Sequence, residues 1–340
     1  MTAPQVEPAL ADMMNAVFAE YDQSSPPAAV SRDASLWRRL DELGLVRLTG
    51  AEQSGGSGAG WPEAAALMTA AIRHGVRIPL AEHDLLACWL LDAVGSPVDG
   101  AARTLCVLDE HGRAPGVPWA SCAERIVIVW QVGGDFLVAD ADIDRIAITA
   151  GANMIGEPRD TVVADLECLT GVPAAPELVA KLHLKSALVR SIQVCAALDS
   201  ALELSIDHAM SREQFGRPLS KFQAVQHLIA DIAAEAALAR SATEAALSAA
   251  IASDWSAPHL EFLVAASRSC AGHAASVVVR NAHQVHGAIG TTSEHRLHRF
   301  TRAALAWRSE FGSVQYWDDR ITDMSLQAGS NRLWNLISPS

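Results

Sequence analysis

The sequence predicts a mainly α protein in which a short β region separates two helical parts. Three observations carry this. Apolar residues recur every three or four positions over long stretches at both ends of the chain, the period of an α-helix. Between roughly residues 104 and 165 that period gives way to short β-branched or apolar runs. Half of the 340 residues are hydrophobic and only 19% are charged, with abundant alanine. That composition suits packed helices rather than a disordered chain, and the length suffices for two or three domains.

In chain order, residues 7–20 and 35–45 read as helices. The second places Leu36, Trp37, Leu40 and Leu43 on one face and stops at Gly44. Ser54 to Gly60 is glycine-rich and reads as a flexible loop; without a lysine or a preceding strand it is no phosphate loop. Helices resume over 61–72 and 80–91. Runs at 104–108, 125–131 and 135–139 read as strands, with Gly133-Gly134 a hairpin signal, and further strands fit 145–149 and 160–165. From Glu177 onward the helical period is strong. Leu184, Leu188, Ile192, Cys195, Leu198 and Leu202 mark one helix, and Phe222, Val225, Ile229, Ile232 and Ala236 a second. A third spans 260–285 and a fourth 294–310, so this part reads as a four-helix bundle. The predicted division is 1–100 helical, 101–172 a reduced β domain, and 173–340 the bundle.

A net charge of −13 disfavours a nucleic-acid partner. The six cysteines show no CxxC pair, which argues against a disulfide scaffold or a zinc site. They read as small buried hydrophobes, and no metal ligand set is predicted. The N-terminus lacks the pattern of a signal peptide, and no charge-free apolar run is long enough to span a membrane, so a cytoplasmic protein is expected.

Two motifs carry chemistry. Arg212-Glu213-Gln214-Phe215-Gly216 runs into Lys221-Phe222-Gln223, and Gln284-Val285-His286-Gly287-Ala288-Ile289-Gly290 follows. A guanidinium suits a bidentate contact to a pyrophosphate, and an aromatic face suits an adenine or a ribose edge. Amide side chains at Gln223 and Gln284 can donate and accept. A glycine at 287 lets a phosphate approach the backbone with no Cβ in the way. His227 and His286 read as structural, and Arg296, Arg299 and Arg302 as a solvated helix face.

These two motifs, lying between long helices in a chain ordered α–β–α, resemble the paired signatures of the acyl-CoA dehydrogenase family. The resemblance is strong over about 180–310, moderate over 35–95, and poor in the β block. It implies the acyl-CoA dehydrogenase-like fold, FAD as cofactor, an acyl-CoA substrate and an electron-transfer flavoprotein as acceptor. It implies that Arg212, Phe215, Gln223, Gln284, Gly287 and Ala288 hold the ADP end of a flavin across a subunit interface. Ala288 departs from the family, which usually has another glycine there.

Two family features are missing. No Thr-Glu-Pro-x-x-Gly-Ser-type segment, which lines the flavin ring, lies between Cys88 and Thr170. The glutamate that removes the α-proton has two family locations. One corresponds to Lys185-Ser186, the other to Phe311, which precedes Gly312. Glu310 is one residue off, about 100° around a helix. The pattern resembles the base-lacking subunit of actinobacterial α2β2 acyl-CoA dehydrogenases of the steroid side-chain type, whose partner is a full-length family subunit. Three rivals stay open: a homomeric enzyme using Glu310, a scaffold without flavin, and a relative that performs oxygen chemistry.

Overall fold

The computed structural model describes residues 6–21 and 32–337, which divide into two compact units after Lys185. In the first unit, α1 (Pro8–Glu20) buries Met14 and Phe18. Helix α2 (Ala34–Glu42) buries Leu36, Trp37 and Leu40, the predicted face. Its start is fixed by Asp33, whose carboxylate accepts the amides of Ser35 at 2.9 Å and Leu36 at 3.0 Å. Gly44, at φ +70°, ends it. Helix α3 spans Trp61–Arg73.

The glycine-rich stretch 54–60 is not the flexible loop its composition predicts. Amides of Ser57, Gly58 and Ala59 donate to the carbonyls of Arg47, Gly50 and Leu48. Gly56 lies so close that a Cβ there would stand 2.1 Å from the Gly50 carbonyl oxygen. Glycine serves close backbone approach here, not mobility. The segment read as a helix over 80–91 is a π-helix over Ala81–Cys88 running into α4 (Trp89–Ala93). All eight of its π-helical residues are buried, so the turn is held by packing all round.

Seven strands follow: β1 (Arg103–Val107), β2 (Arg113–Pro118), β3 (Arg125–Val132), β4 (Asp135–Asp142), β5 (Ala147–Thr149), β6 (Arg159–Val163) and β7 (Val172–Ala174). They form two sheets, ordered β1-β3-β4-β7 and β2-β6-β5. The predicted hairpin is β3–β4, in register from Arg125↔Asp142 to Val132↔Asp135 across Gly133-Gly134. Cys106, Ile126, Ile128 and Trp130 from one sheet pack with Ala114, Val117 and Val162 of the other. Strands β2 and β7 were not predicted. The first reads Arg-Ala-Pro-Gly-Val-Pro, has an irregular register between Ala114 and Val117, and sits at a sheet edge, where proline is tolerated.

Helix α5 (Pro176–Ser211) leads into the second unit. A two-strand hairpin follows, β8 (Glu213–Gln214) and β9 (Arg217–Pro218), then α6 (Gln223–Ala252), α7 (Leu260–His286), α8 (Leu297–Trp307) and α9 (Val314–Ile337). Helix α9 was not predicted. Its non-helical Gly329 and exposed Leu326, Leu333 and Trp334 blur the apolar period. Helix α7 is long and apolar enough to cross a membrane by length and composition, but Arg268 and Arg280 interrupt it, in line with the expectation of no charge-free apolar run long enough to span. Half of its apolar window is buried, as befits a core helix packed on α6, α8 and α9. Its buried face is lined by small residues, Ala265, Ala271, Gly272, Ala274 and Ala275, and a Cβ on Gly272 would collide with Val314 of α9.

Cys88, Cys106 and Cys195 are buried hydrophobes as predicted, and burial pushes each thiol up to about 12. Cys168 departs from that reading: it is exposed, and its thiol donates to the Asp165 carboxylate at 3.3 Å.

Candidate functional site

Helix α5 ends where the Arg212 amide donates to the His208 carbonyl at 2.9 Å. The chain then turns back sharply: the Leu219 amide donates to the Arg212 carbonyl at 2.8 Å, closing the β8–β9 hairpin. Its tip is Phe215-Gly216, with φ of +52° and +77°. Positive φ at both central residues is what a two-residue hairpin needs, because only the mirror-image turn matches the strand twist. Glycine meets that demand freely; phenylalanine does so under strain. The strained ring is also 91% exposed. It lies 6.3 Å from Phe222, over which the Arg217 guanidinium stacks at 4.2 Å. Among the described residues no hydrogen bond or ion pair engages the Arg212 guanidinium, and Arg212 is exposed. Gln223 opens α6 directly after this turn, exposed.

Gln284 lies in the last turn of α7, also exposed. Gly287 ends that helix at φ +62° and ψ −144°, a conformation open in practice only to glycine. A Cβ there would meet nothing within 4 Å. The glycine thus serves the backbone turn and leaves open space above it. Ala288 is exposed beside it. Far apart in sequence, the two motif segments are adjacent in space. His208, one turn before Arg212, stacks on His286, the residue before Gly287, with ring centroids 4.5 Å apart.

The two base locations look different. Lys185 is buried, its ammonium 4.3 Å from the Trp89 ring centroid and 4.9 Å from that of Trp61; Ser186 is buried too. Glu310 accepts the Nε hydrogen of fully buried Arg190 at 2.7 Å. Arg190 also lies over the Phe311 ring at 4.9 Å and donates to the Gln193 amide oxygen at 2.5 Å. Phe311 takes φ +52° and Gly312 φ +105°. Arg268 braces this turn, donating through Nη2 to the carbonyls of Glu310 at 2.8 Å, Arg308 at 3.0 Å and Gly312 at 3.1 Å. Burial, aided by the charge of Arg190, pushes Arg268 down to about 9, so it remains charged at neutral pH. Neither arginine was singled out from the sequence. A lone arginine in an apolar helix period is the only local trace of such a brace.

The chain matches the model of the acyl-CoA dehydrogenase N-terminal domain over residues 4–98 and that of the C-terminal domain over 184–324. It belongs to the acyl-CoA dehydrogenase family. With it, the chain joins the oxidoreductases that act on acyl-CoA thioesters. Among Mycobacterium tuberculosis relatives, acyl-CoA dehydrogenase IpdE2 is 27% identical over 327 residues, covering 89% of this chain and 92% of that protein. Acyl-CoA dehydrogenase FadE34 is 27% identical over 321 residues, covering 88% of this chain but only 44% of that longer relative. The fold is shared with the ChsE4-ChsE5 complex of the same organism, at a TM-score of 0.80 and 21% identity over 96% of this chain and 99% of that one. Phe215 offers an exposed aromatic face, Arg212 an exposed cation without a partner among the described residues, and Gly287 an open backbone turn, chemistry that suits a phosphate-bearing nucleotide.

Proposed function

We propose that this chain is the base-lacking subunit of a heteromeric, FAD-dependent acyl-CoA dehydrogenase. The observation that carries the reading is the state of the two base locations. One holds a buried lysine and serine, and at the other Glu310 is engaged by buried Arg190. A group that abstracts a proton must reach it within hydrogen-bond distance and be able to accept it. An ion-paired carboxylate beside a buried guanidinium is poorly placed for that. The motif residues, by contrast, are exposed.

In this reading Arg212 pairs with the pyrophosphate, and Phe215 offers its face to the adenine end. Gln223 and Gln284 bond the nucleotide, and Gly287 and Ala288 let phosphate oxygens approach the backbone. Bound FAD supplies the hydride acceptor. A full-length family subunit supplies the ring pocket, the thioester pocket and the glutamate, in an α2β2 assembly. Residues 173–340 then carry the flavin motifs and the oligomer interface, beside a helical domain at 1–100 and a reduced β domain at 101–172. The acyl group is a bulky one, a steroid side chain being the leading case by extension from the subunit type. The acceptor is an electron-transfer flavoprotein, and the compartment is the cytoplasm.

A visible absorbance spectrum tests this. The chain purified alone should carry little flavin, and co-expression with a full-length family member should give about one FAD per heterodimer. Stoichiometric flavin in the isolated chain would overturn the reading and return Glu310 to the front as base.

A further inference from the structure

We propose that His208, His286 and His295 form a binding site for a divalent transition-metal ion of the zinc, cobalt or nickel class. The last turn of α5 supplies the first ligand, the last residue of α7 the second, and the turn before α8 the third. One ring nitrogen from each lies within 4.8 Å of the other two. His286 sits between the others, its ring centroid 4.5 Å from His208 and 4.6 Å from His295.

The state of His286 points to a missing partner. The side chain is only 5% exposed. Its Nδ1 lies 2.8 Å from the Ala282 carbonyl, so that nitrogen carries the proton and donates. The neutral ring then presents a bare lone pair at Nε2, which is shielded from solvent and has no partner among the described residues. A buried acceptor left unpaired costs about 1–3 kcal/mol. An imidazole whose other nitrogen is pinned by a backbone carbonyl is also the arrangement that orients a metal ligand. Burial lowers all three imidazoles from their ordinary value.

A tetrahedral ion with metal–nitrogen bonds of about 2.0–2.1 Å needs its ligand nitrogens about 3.4 Å apart. Closing the remaining distance falls to His208 and His295, which are half-exposed and able to rotate. The His208 ring makes no hydrogen bond among the described residues. His295 must give one up: its Nδ1 accepts the Leu297 amide at 3.1 Å, so either Nδ1 turns to the ion in place of that amide and Nε2 keeps its proton, or the proton moves to Nδ1 and frees Nε2 for the ion. The groups facing the triad are cationic or neutral. Arg212 acts on His208, Arg296 and His298 on His295, and His283 on His286. Among the described residues no carboxylate joins them, so the fourth ligand is water or, more favourably, an anion.

The test uses the full chain, tag-free and flavin-free, so its outcome does not depend on the flavin reading. Titration with Co2+ should give visible d–d bands that saturate at one ion per chain and vanish on adding Zn2+. His286→Gln should weaken binding at least tenfold. Because that residue is buried, the half-exposed His208→Phe and His295→Asn variants serve as the second arm, each with a similar loss. His227→Gln should bind as the parent does. Zn2+ should raise the unfolding temperature of the parent and of His227→Gln only. Absence of a saturable band, or a band that persists through all three triad substitutions, would overturn the proposal.

Discussion

The hairpin tip at Phe215-Gly216 and the turn at Phe311-Gly312 are built alike and used differently. Each places a phenylalanine at φ +52° ahead of a positive-φ glycine, and each follows a helix of the bundle. At the second, the contacts come from within the chain: Arg190 pairs with Glu310 and covers Phe311, while Arg268 ties three carbonyls together through Nη2. At the first, the ring projects into solvent and Arg212 has no partner among the described residues. The same backbone strain is thus absorbed internally in one place and left exposed in the other. Strain that persists without internal support is of the kind that clusters at binding sites.

The largest effect should come from removing the internal brace. Arg268→Met orphans the carbonyls of Arg308, Glu310 and Gly312 and leaves Arg190 and Glu310 without their neighbour. Denaturant unfolding should show a loss of about 3 kcal/mol or more. A loss below about 1 kcal/mol would mean the turn holds without its brace, and the contrast with the hairpin would collapse.

Next is the ion pair itself. Glu310→Gln keeps an acceptor for Arg190 but removes its countercharge, and should lower stability by about 1–3 kcal/mol. Turnover of the assembled enzyme, measured well below the variant's unfolding temperature, should stay within about threefold of the parent, less than 0.7 kcal/mol. Abolished turnover in a fully folded variant would make Glu310 the base and the chain self-sufficient. At the other region, Arg212→Ala should leave stability unchanged, because nothing in the chain leans on it. It should weaken FAD retention by the worth of a charge-assisted hydrogen bond, about 1.5–3 kcal/mol or roughly ten- to a hundredfold. Unchanged retention in both Arg212→Ala and Gln284→Ala would favour a scaffold that has lost flavin.

This contrast was only half legible in the sequence. Motif residues 212–223 and 284–288 stand out because helix, turn and glycine signals are local. The helices of residues 176–286 stand out because their apolar period is long. Arg190 and Arg268 did not, since a buried brace is defined by partners more than a hundred and about forty residues away, with no spacing rule to mark it. The histidine triad escaped for the same reason. Strand β2 hid behind two prolines and a glycine that only an edge position tolerates. The π-helical start at Ala81 read correctly as helical, but its widened turn follows from burial on all sides, which no period reports.

A buried group that is fully engaged should also show itself in pH dependence, and His83 in the first unit provides the case. Its Nδ1 accepts the Arg103 amide at 3.0 Å, and burial, with Arg103 adding to it, lowers the ring to about 3. The unfolded chain binds that proton near 6.5. Stability from His83 is therefore complete above pH 6.5 and lost as pH falls toward 3, at up to about 1.4 kcal/mol per pH unit. Asp84 opposes it: burial raises its carboxyl to about 6, so acidification below pH 6 favours the folded form there. The His83 loss thus runs from about pH 6.5 down toward 3, partly offset by Asp84 from about pH 6 downward. His83→Gln, which keeps an acceptor for Arg103, should flatten that part of the profile. An unaltered slope would mean that the pH dependence arises elsewhere.

The smallest effect is the most direct test of the comparison. Asparagine accepts the left-handed backbone that Phe215 adopts at φ +52°, and the ring it replaces is 91% exposed with a single edge contact to Phe222. Phe215→Asn should therefore stabilise the isolated chain by about 1 kcal/mol through relief of strain. The same change should weaken FAD retention by the assembled enzyme about two- to tenfold, the loss of one aromatic face worth about 0.5–1.5 kcal/mol. Opposite signs in the two measurements are what a strained, outward-facing binding residue requires. A variant that loses stability would place Phe215 with Phe311, as a ring held by its own chain. A variant that gains stability and keeps its flavin would leave the exposed ring to the subunit interface rather than to the nucleotide.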